Sequence, residues 1–255
     1  MTISVRRLIA ASLLLVSTTC VFTAPAMALD DKEKAEFGAF IREYLVANPE
    51  IMLEVQEALK AKQASKAQQV AESAITANKD AIFNSKYDVS LGNPKGDVTV
   101  VEFYDYNCGY CKRALPDMQA ILEADKNVRF VLKELPILGQ ESLDAHRVSS
   151  AFRKLAPEKY GDFHTALLGG EDRATEETAI AVAERLGVKE ADIRAKMVDP
   201  SQDDEVRESY TLANALGVTG TPSYIIGNEA IFGAVGADEL AAKIANMRSC
   251  GKTAC

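Results

Sequence analysis

Histidine is scarce in this chain and cysteine is sparse: two histidines and five cysteines in 255 residues. Neither His146 nor His164 has a metal-ligating neighbour three or four positions further on. A tetrahedral zinc site needs four ligands. Cys108 and Cys111 could supply two, but the other closely spaced pair, Cys250 and Cys255, lies at the far end of the chain. The arrangement argues against structural zinc. Basic residues are also short, 29 Lys and Arg against 37 Asp and Glu for a formal charge of −8, where a nucleic-acid surface would need the opposite balance. Residues 30–85 hold no glycine after Gly38 and one proline, Pro49, and read as helix throughout. Within them "KAKQASKAQQ", residues 60–69, lacks every large apolar side chain while keeping the helix formers. That stretch has nothing to bury and reads as a solvated helix or a bendable connector.

What is present begins with Arg6 and Arg7, the apolar run "LIAASLLLV" and the small residues Ala26-Met27-Ala28. This is the layout of a secretory signal peptide cleaved after Ala28. An uncleaved anchor is the alternative, since no charge falls between Leu8 and Leu29. Thr18, Thr19, Cys20, Thr23 and Pro25 make the second half of that run a poor spanning helix. General export fits the leader better than a twin-arginine route. Four cysteines remain beyond it, and an even number in an oxidising compartment makes disulfide chemistry the first hypothesis.

Phe37, Phe40, Ile41, Tyr44 and Leu45 form one helical stripe, and Asn48-Pro49 supplies a cap and first-turn proline for a second helix carrying Ile51, Val55 and Leu59. A short amphipathic element set off by a polar connector cannot readily bury its stripe on its own domain, so partner copies are the natural cover. From Tyr87 onward the pattern changes. "YDVSLGNPKGD" is a short strand and turn, and "VTVVEFY" (98–104) and "VRFVLKEL" (128–135) are apolar runs of buried-strand length. An amphipathic helix from about Gly109 to Asp125 joins them, so the two strands are expected to be parallel. Residues 142–215 turn helical, after which "PSYII", Gly227-Asn228 and "AIFGA" give a hairpin signal, followed by a last helix. The fold class is α/β with an inserted helical subdomain. The expected divisions are a leader over 1–28, an N-terminal helical segment and linker over 29–85, and a catalytic domain over 86–255.

Cys108 and Cys111 sit where the first buried strand gives way to a helix. The unpaired amides of a helix N-terminus favour a thiolate there. An ordinary cysteine is ~3% ionised at neutral pH, whereas pairs of this spacing have pKa values of roughly 3.5 to 7.5. Cys108 is therefore the expected nucleophile and Cys111, one turn into the helix, the resolving thiol. Capture of copper(I) by the reduced thiols is a softer alternative. Cys250 and Cys255 are expected to be bonded, and so short a loop contributes only about 2 kcal/mol. His164 falls on the face of Tyr160, Phe163 and Leu167 and reads as a core histidine; His146, on a more polar face, reads as solvated.

Glu102, six residues before Cys108 in "VEFYDYNC", and the downstream "GVTGTPSYIIG" together resemble the thioredoxin superfamily. The helices inserted between the second strand and that loop resemble its DsbA-like branch. "FGAFIREYLVANPEIMLEVQEALKAKQ" is similar to the oligomerisation segment of the ScsC (suppressor of copper sensitivity) and Com1-like proteins. The resemblance implies a thioredoxin-like fold and a periplasmic thiol–disulfide oxidoreductase or isomerase that needs no cofactor. It implies a buried acid, Glu102, that relays a proton to Cys111; an acid paired with a nearby lysine is the plainer reading. It also implies a cis Pro222 that turns the Thr221 backbone toward the pair to bind an extended substrate. Gly109 and Tyr110 would set the redox poise, and Tyr110 departs from the histidine that DsbA carries. The partners implied are misfolded or reduced secreted proteins, a membrane reductase of DsbD-like or ScsB-like type, and further copies of the chain, a trimer being favoured, joined through residues 30–60.

Overall fold

The computed structural model describes residues 30–255, so the leader expected over residues 1–28 lies outside the described residues. The chain divides into a first compact unit ending at Glu57 and a second, Ala58–Cys255.

In the first unit α1 (Asp31–Ala47) opens on a capping box: the Asp30 side chain accepts from the Glu33 amide and the Glu33 side chain from the Asp30 amide. No residue of α1 is buried. Asn48 does not cap the next helix with its side chain as expected. Its amide group instead donates to the Tyr44 carbonyl at 2.8 Å and closes α1. The helix α2 (Glu50–Ala77) then runs without interruption through residues 60–69. The polar stretch is thus helical and solvated, because its helix formers hold the backbone even with nothing to pack.

The second unit is a five-stranded sheet in the order β1-β3-β2-β4-β5, covered by helices on both faces. Its strands are β1 (Val89–Gly92), β2 (Val98–Tyr104), β3 (Val128–Glu134), β4 (Ser223–Ile226) and β5 (Glu229–Phe232). The short helix α3 (Lys79–Phe83) precedes β1. Only the β2–β3 pair is parallel, joined by α4 (Gly109–Ala124); β1, β4 and β5 pair antiparallel. Between β3 and β4 come α5 (Gln140–Leu155), α6 (Tyr160–Leu168), α7 (Glu176–Arg185), α8 (Glu190–Met197) and α9 (Ser201–Leu216), and α10 (Ala237–Cys250) follows β5.

Strand alternation sorts the central residues between two cores. Val100, Tyr104, Phe130 and Leu132 face α4, α10 and the inserted helices α5–α8. Val101, Phe103 and Val131 face Ala71 and Ile75 of α2, Ile82 of α3 and Leu212 and Leu216 of α9. Both faces are covered, so β2 and β3 read as unbroken apolar runs rather than alternating ones. By the same alternation Glu102 shares the face of Val100 and Tyr104, beneath α4. The β4–β5 turn needs glycine at Gly227, where φ is 57° and a side chain would meet Met247 Sδ at 2.7 Å.

Candidate active site

The geometry starts from the turn between β2 and α4. Asp105 is buried, and its carboxylate accepts from the Asn107 amide (2.7 Å), the Ser142 hydroxyl (2.8 Å) and the Leu138 amide (2.9 Å), while its carbonyl accepts from the Cys108 amide (3.0 Å). This fixes Cys108 as the N-cap of α4, with its Sγ accepting from the Cys111 amide at 3.4 Å. Asn107 pairs with the Ala174 backbone in both directions, donating to its carbonyl (2.9 Å) and accepting from its amide (2.8 Å). On the other flank Lys112 Nζ donates to the carbonyls of Gly170 (2.7 Å) and Asp172 (3.0 Å). One loop of the helical insertion is therefore tied to the residues on either side of the cysteine pair.

Both thiols are unbonded. Cys108 is 6% exposed and Cys111 fully buried. The Cys108 pKa falls from 9.0 to about 5. The main cause is the hydrogen bond donated by the Cys111 thiol; the Thr221 side chain and the amides of Cys111 and Tyr110 add to it, and burial opposes. Donation of that same bond, together with burial, pushes the Cys111 thiol far above its ordinary value. One sulfur of the pair is anionic at neutral pH and the other keeps its proton.

Opposite the pair, the Thr221–Pro222 peptide bond is cis, and the Thr221 carbonyl oxygen lies 3.1 Å from Cys108 Sγ. Beside it an open groove of about 300 Å³ is lined by Tyr110, Thr221, Pro222, Phe232 and Gly233. The Tyr110 ring is exposed and carries the Arg113 guanidinium 4.2 Å above its centroid. Gly109 is exposed, and a side chain there would meet only Arg113 Nη1 at 3.8 Å.

Glu102 is 3% exposed, and its pKa is raised from 4.5 to about 8, first by burial and then by the charges of Cys108 and Asp117. Its cross-strand partner on β4 is Tyr224. Among the described residues it has no lysine partner: the buried Lys133 lies on the opposite face of the sheet, bound to Asp88 (2.5 Å) and the Ala81 carbonyl (3.0 Å). The sequence thus brings Cys108, Cys111, Glu102, Thr221, Pro222, Gly109 and Tyr110 to one place. Cys250 and Cys255 are bonded to each other at a separate one.

Two readings of the histidines meet different ends. His164 is buried, lies edge-on to Tyr104 at 4.7 Å, and has its pKa lowered to about 4 by desolvation. His146 corrects the expectation of a solvated residue: it is 1% exposed, and its Nδ1 lies 2.8 Å from Glu134 Oε2. The serines beside it on α5 made that face look water-facing, but they serve buried carboxylates, Ser149 donating to Glu134 and Ser150 to Glu205. Glu134 also accepts from Ser149 (2.5 Å) and Tyr160 (2.7 Å), and Tyr160 reaches Tyr104 (3.1 Å) and Tyr106 (3.3 Å). Sequence reasoning missed this network and the Asp105–Asn107–Lys112 clamp. The spacing of Asp105 and Asn107 in "YDYNC" is an Asx-turn signal that could have pointed to the clamp.

A thiolate at a helix N-terminus, backed by a second, buried thiol on a strand–helix–strand core, defines a protein of the thiol–disulfide oxidoreductase class. Comparison with known proteins agrees: the DSBA-like thioredoxin domain matches residues 99–245, and the chain belongs to that family. The N-terminal domain of the copper resistance protein ScsC matches residues 33–66. A thioredoxin-like oxidoreductase from Silicibacter pomeroyi DSS-3 is 39% identical, covering 68% of this chain and 99% of its own, at a TM-score of 0.65. The thiol-disulfide exchange protein alpha-DsbA2 from Wolbachia pipientis is 31% identical, covering 71% and 97%, at 0.66. A linker-deletion mutant of Proteus mirabilis ScsC is 27% identical, covering 88% and 99%, at 0.63. Among curated proteins the Na(+)/H(+) antiporter NhaA 3 of Salinispora tropica is 24% identical over 60% of this chain, and the chain spans 24% of its length. Among the described residues no helix is long and apolar enough to cross a membrane.

Proposed function

We propose that this chain is a periplasmic thiol–disulfide oxidoreductase that rearranges wrongly paired disulfides in secreted proteins, in preference to acting as a one-way oxidase. The observation that carries the reading is the Cys108 sulfur, acidified to about 5 and lying 3.1 Å from the Thr221 carbonyl with Cys111 buried behind it. The Cys108 thiolate attacks a client disulfide, forming a mixed disulfide and releasing one client thiolate. If that thiolate re-pairs with another client sulfur and Cys108 is finally expelled, the client is isomerised with no net electron transfer. If Cys111 attacks Cys108 instead, giving its proton to Glu102, the client leaves reduced and the pair holds a disulfide. Two electrons must then return to the pair, a role suited to a membrane reductase of the DsbD-like or ScsB-like kind. An extended client segment fits along the Thr221 backbone and the groove beneath Tyr110.

The preference for isomerisation rests on assembly. Phe37 (57% exposed), Phe40 (63%), Ile41 (49%) and Tyr44 (51%) leave the α1 stripe open to water. A trimer joined through residues 30–60 would cover it and set several reactive pairs around one client. In this scheme residues 1–28 are the cleaved leader, 29–85 the assembly segment and linker, and 86–255 the catalytic domain. The test is a scrambled-ribonuclease assay with mass measurement in solution. Reactivation by an oligomer that drops sharply in a monomeric variant supports isomerisation, whereas equal reactivation by the monomer refutes the assembly argument.

A second reading, copper(I) binding, is favoured by the match of residues 33–66 to a copper resistance protein. Two thiolates suit copper(I). Cys111→Ser separates the readings: trapped mixed disulfides with client proteins support exchange, and lost copper retention with unchanged thiol chemistry supports binding.

A further inference from the structure

A second pair of sulfurs lies at the other end of the sheet. Cys250, the last residue of α10, is bonded to Cys255, and both residues are exposed. Arg248, two residues earlier, is ion-paired to Asp97 (2.7 Å) and Asp125 (2.5 Å). Asp97 immediately precedes β2, whereas Cys108 lies beyond its far end. A strand of this length spans about 23 Å, so the two sulfur pairs cannot meet within one chain.

The bond closes a ring of small sequence separation, five residues, and neither cysteine belongs to a core. Other contacts hold the segment: the Gly251 amide donates to the Met247 carbonyl (3.1 Å), and the Asn246 side chain donates to the Thr253 carbonyl (2.9 Å). Opening the bond therefore leaves α10 and both cores in place. Exposed disulfides that constrain little chain are the labile ones. The same loop walls a cavity of about 400 Å³ together with Gly227, Asn228 and Met247, and the exposed Lys252 beside it offers positive charge to an incoming thiolate.

We propose that Cys250–Cys255 is a second exchange site, independent of Cys108, that reacts with small soluble thiols of the glutathione kind. Cys250 sits at the carbonyl end of α10, which disfavours its thiolate, so Cys255 is the better leaving group. A small thiolate attacks Cys250 Sγ, forming a mixed disulfide and releasing the Cys255 thiolate. A second small thiolate then attacks the outer sulfur of that adduct and frees Cys250. Two small thiols become one disulfide, and their two electrons and two protons end on Cys250 and Cys255.

Trypsin cleavage after Arg248 and Lys252 leaves the peptide Ser249–Lys252 joined by this bond to the peptide that starts at Thr253 and carries Cys255, which makes it directly readable in the wild-type full chain. The chain is equilibrated in buffers of graded reduced-to-oxidised glutathione, blocked with a maleimide and digested, with far-UV circular dichroism recorded in parallel. The expected result is loss of more than about nine-tenths of the linked peptide, with a glutathione adduct on Ser249–Lys252 at intermediate ratios and helical signal unchanged. Persistence of the linked peptide until the helical signal collapses overturns the proposal. Repeating the titration with Cys108→Ser/Cys111→Ser should give the same curve. If the linked peptide then survives, the chain's own cysteine pair was opening it, and the claim of independence fails.

Discussion

Acidifying the reduced chain from pH 7 to pH 5 should remove a definite part of its stability. The Cys108 thiol has its pKa lowered from 9.0 to about 5. At pH 7 a thiol of pKa 9.0 is ~1% ionised and Cys108 ~99%, a hundredfold bias toward the folded state, or about 2.7 kcal/mol. Because the folded value is the lower one, this contribution is complete above pH 9 and disappears as pH falls through 5. At pH 5 about 0.4 kcal/mol remains, so roughly 2 kcal/mol is lost over the interval. Urea unfolding of the reduced wild type and of Cys108→Ser, compared at both pH values, isolates the effect, since carboxylates and histidines elsewhere titrate in both chains. Thiolate absorbance near 240 nm, titrated alongside, should show a midpoint near 5. Cys111→Ala removes the largest cause of the acidity and should move that midpoint up toward 9.0. A wild-type midpoint above 8, or a stability difference unchanged between pH 7 and pH 5, would refute the reasoning.

Glu102→Gln should leave formation of mixed disulfides fast but slow their resolution by Cys111 by ~10²-fold, read by quenched-flow trapping. In the wild type the same step should accelerate as pH rises through about 8, where Glu102 becomes able to accept a proton. His146→Ala leaves the Glu134 carboxylate buried without its partner and should cost about 3 to 5 kcal/mol in chemical denaturation; less than 1 kcal/mol would mean that water replaces the imidazole. Burial works against both charges of that pair, but the pKa of His146 is raised and that of Glu134 lowered by each other. The histidine's contribution is therefore present below its unfolded value and lost as pH rises through its folded one, and the carboxylate's is lost on acidification. Phe40→Asp with Ile41→Asp should convert the assembled protein to a monomer in light scattering while leaving Cys108 alkylation rates unchanged.

Local rules made much of the architecture legible in advance. Runs of β-branched and aromatic residues marked β2 and β3, and the amphipathic segment between them required a parallel crossover. The absence of glycine and proline from residue 50 onward in the N-terminal third marked α2, even where no apolar side chain supports it. The spacing of Cys108 and Cys111 after a buried strand marked where α4 begins, and Cys108 is its N-cap, with its sulfur accepting from the Cys111 amide. None of this depends on distant neighbours.

Other features exist only once the chain is closed. His146 looked solvated because its helix face is polar, and only the packing of α5 on β3 shows that this polarity answers Glu134. The acidity of Cys108 likewise mixes near and distant causes. The Cys111 thiol and the free amides of the helix N-terminus lie within one turn, whereas the Thr221 side chain comes from a distant part of the chain. The sequence by itself determined which segments are strands and helices and that a cysteine pair lies where β2 gives way to α4, since these follow from side-chain period and backbone preference. Tertiary structure alone decided which charges are desolvated and which donors surround each sulfur, because both depend on groups that meet only after the sheet and its inserted helices have packed.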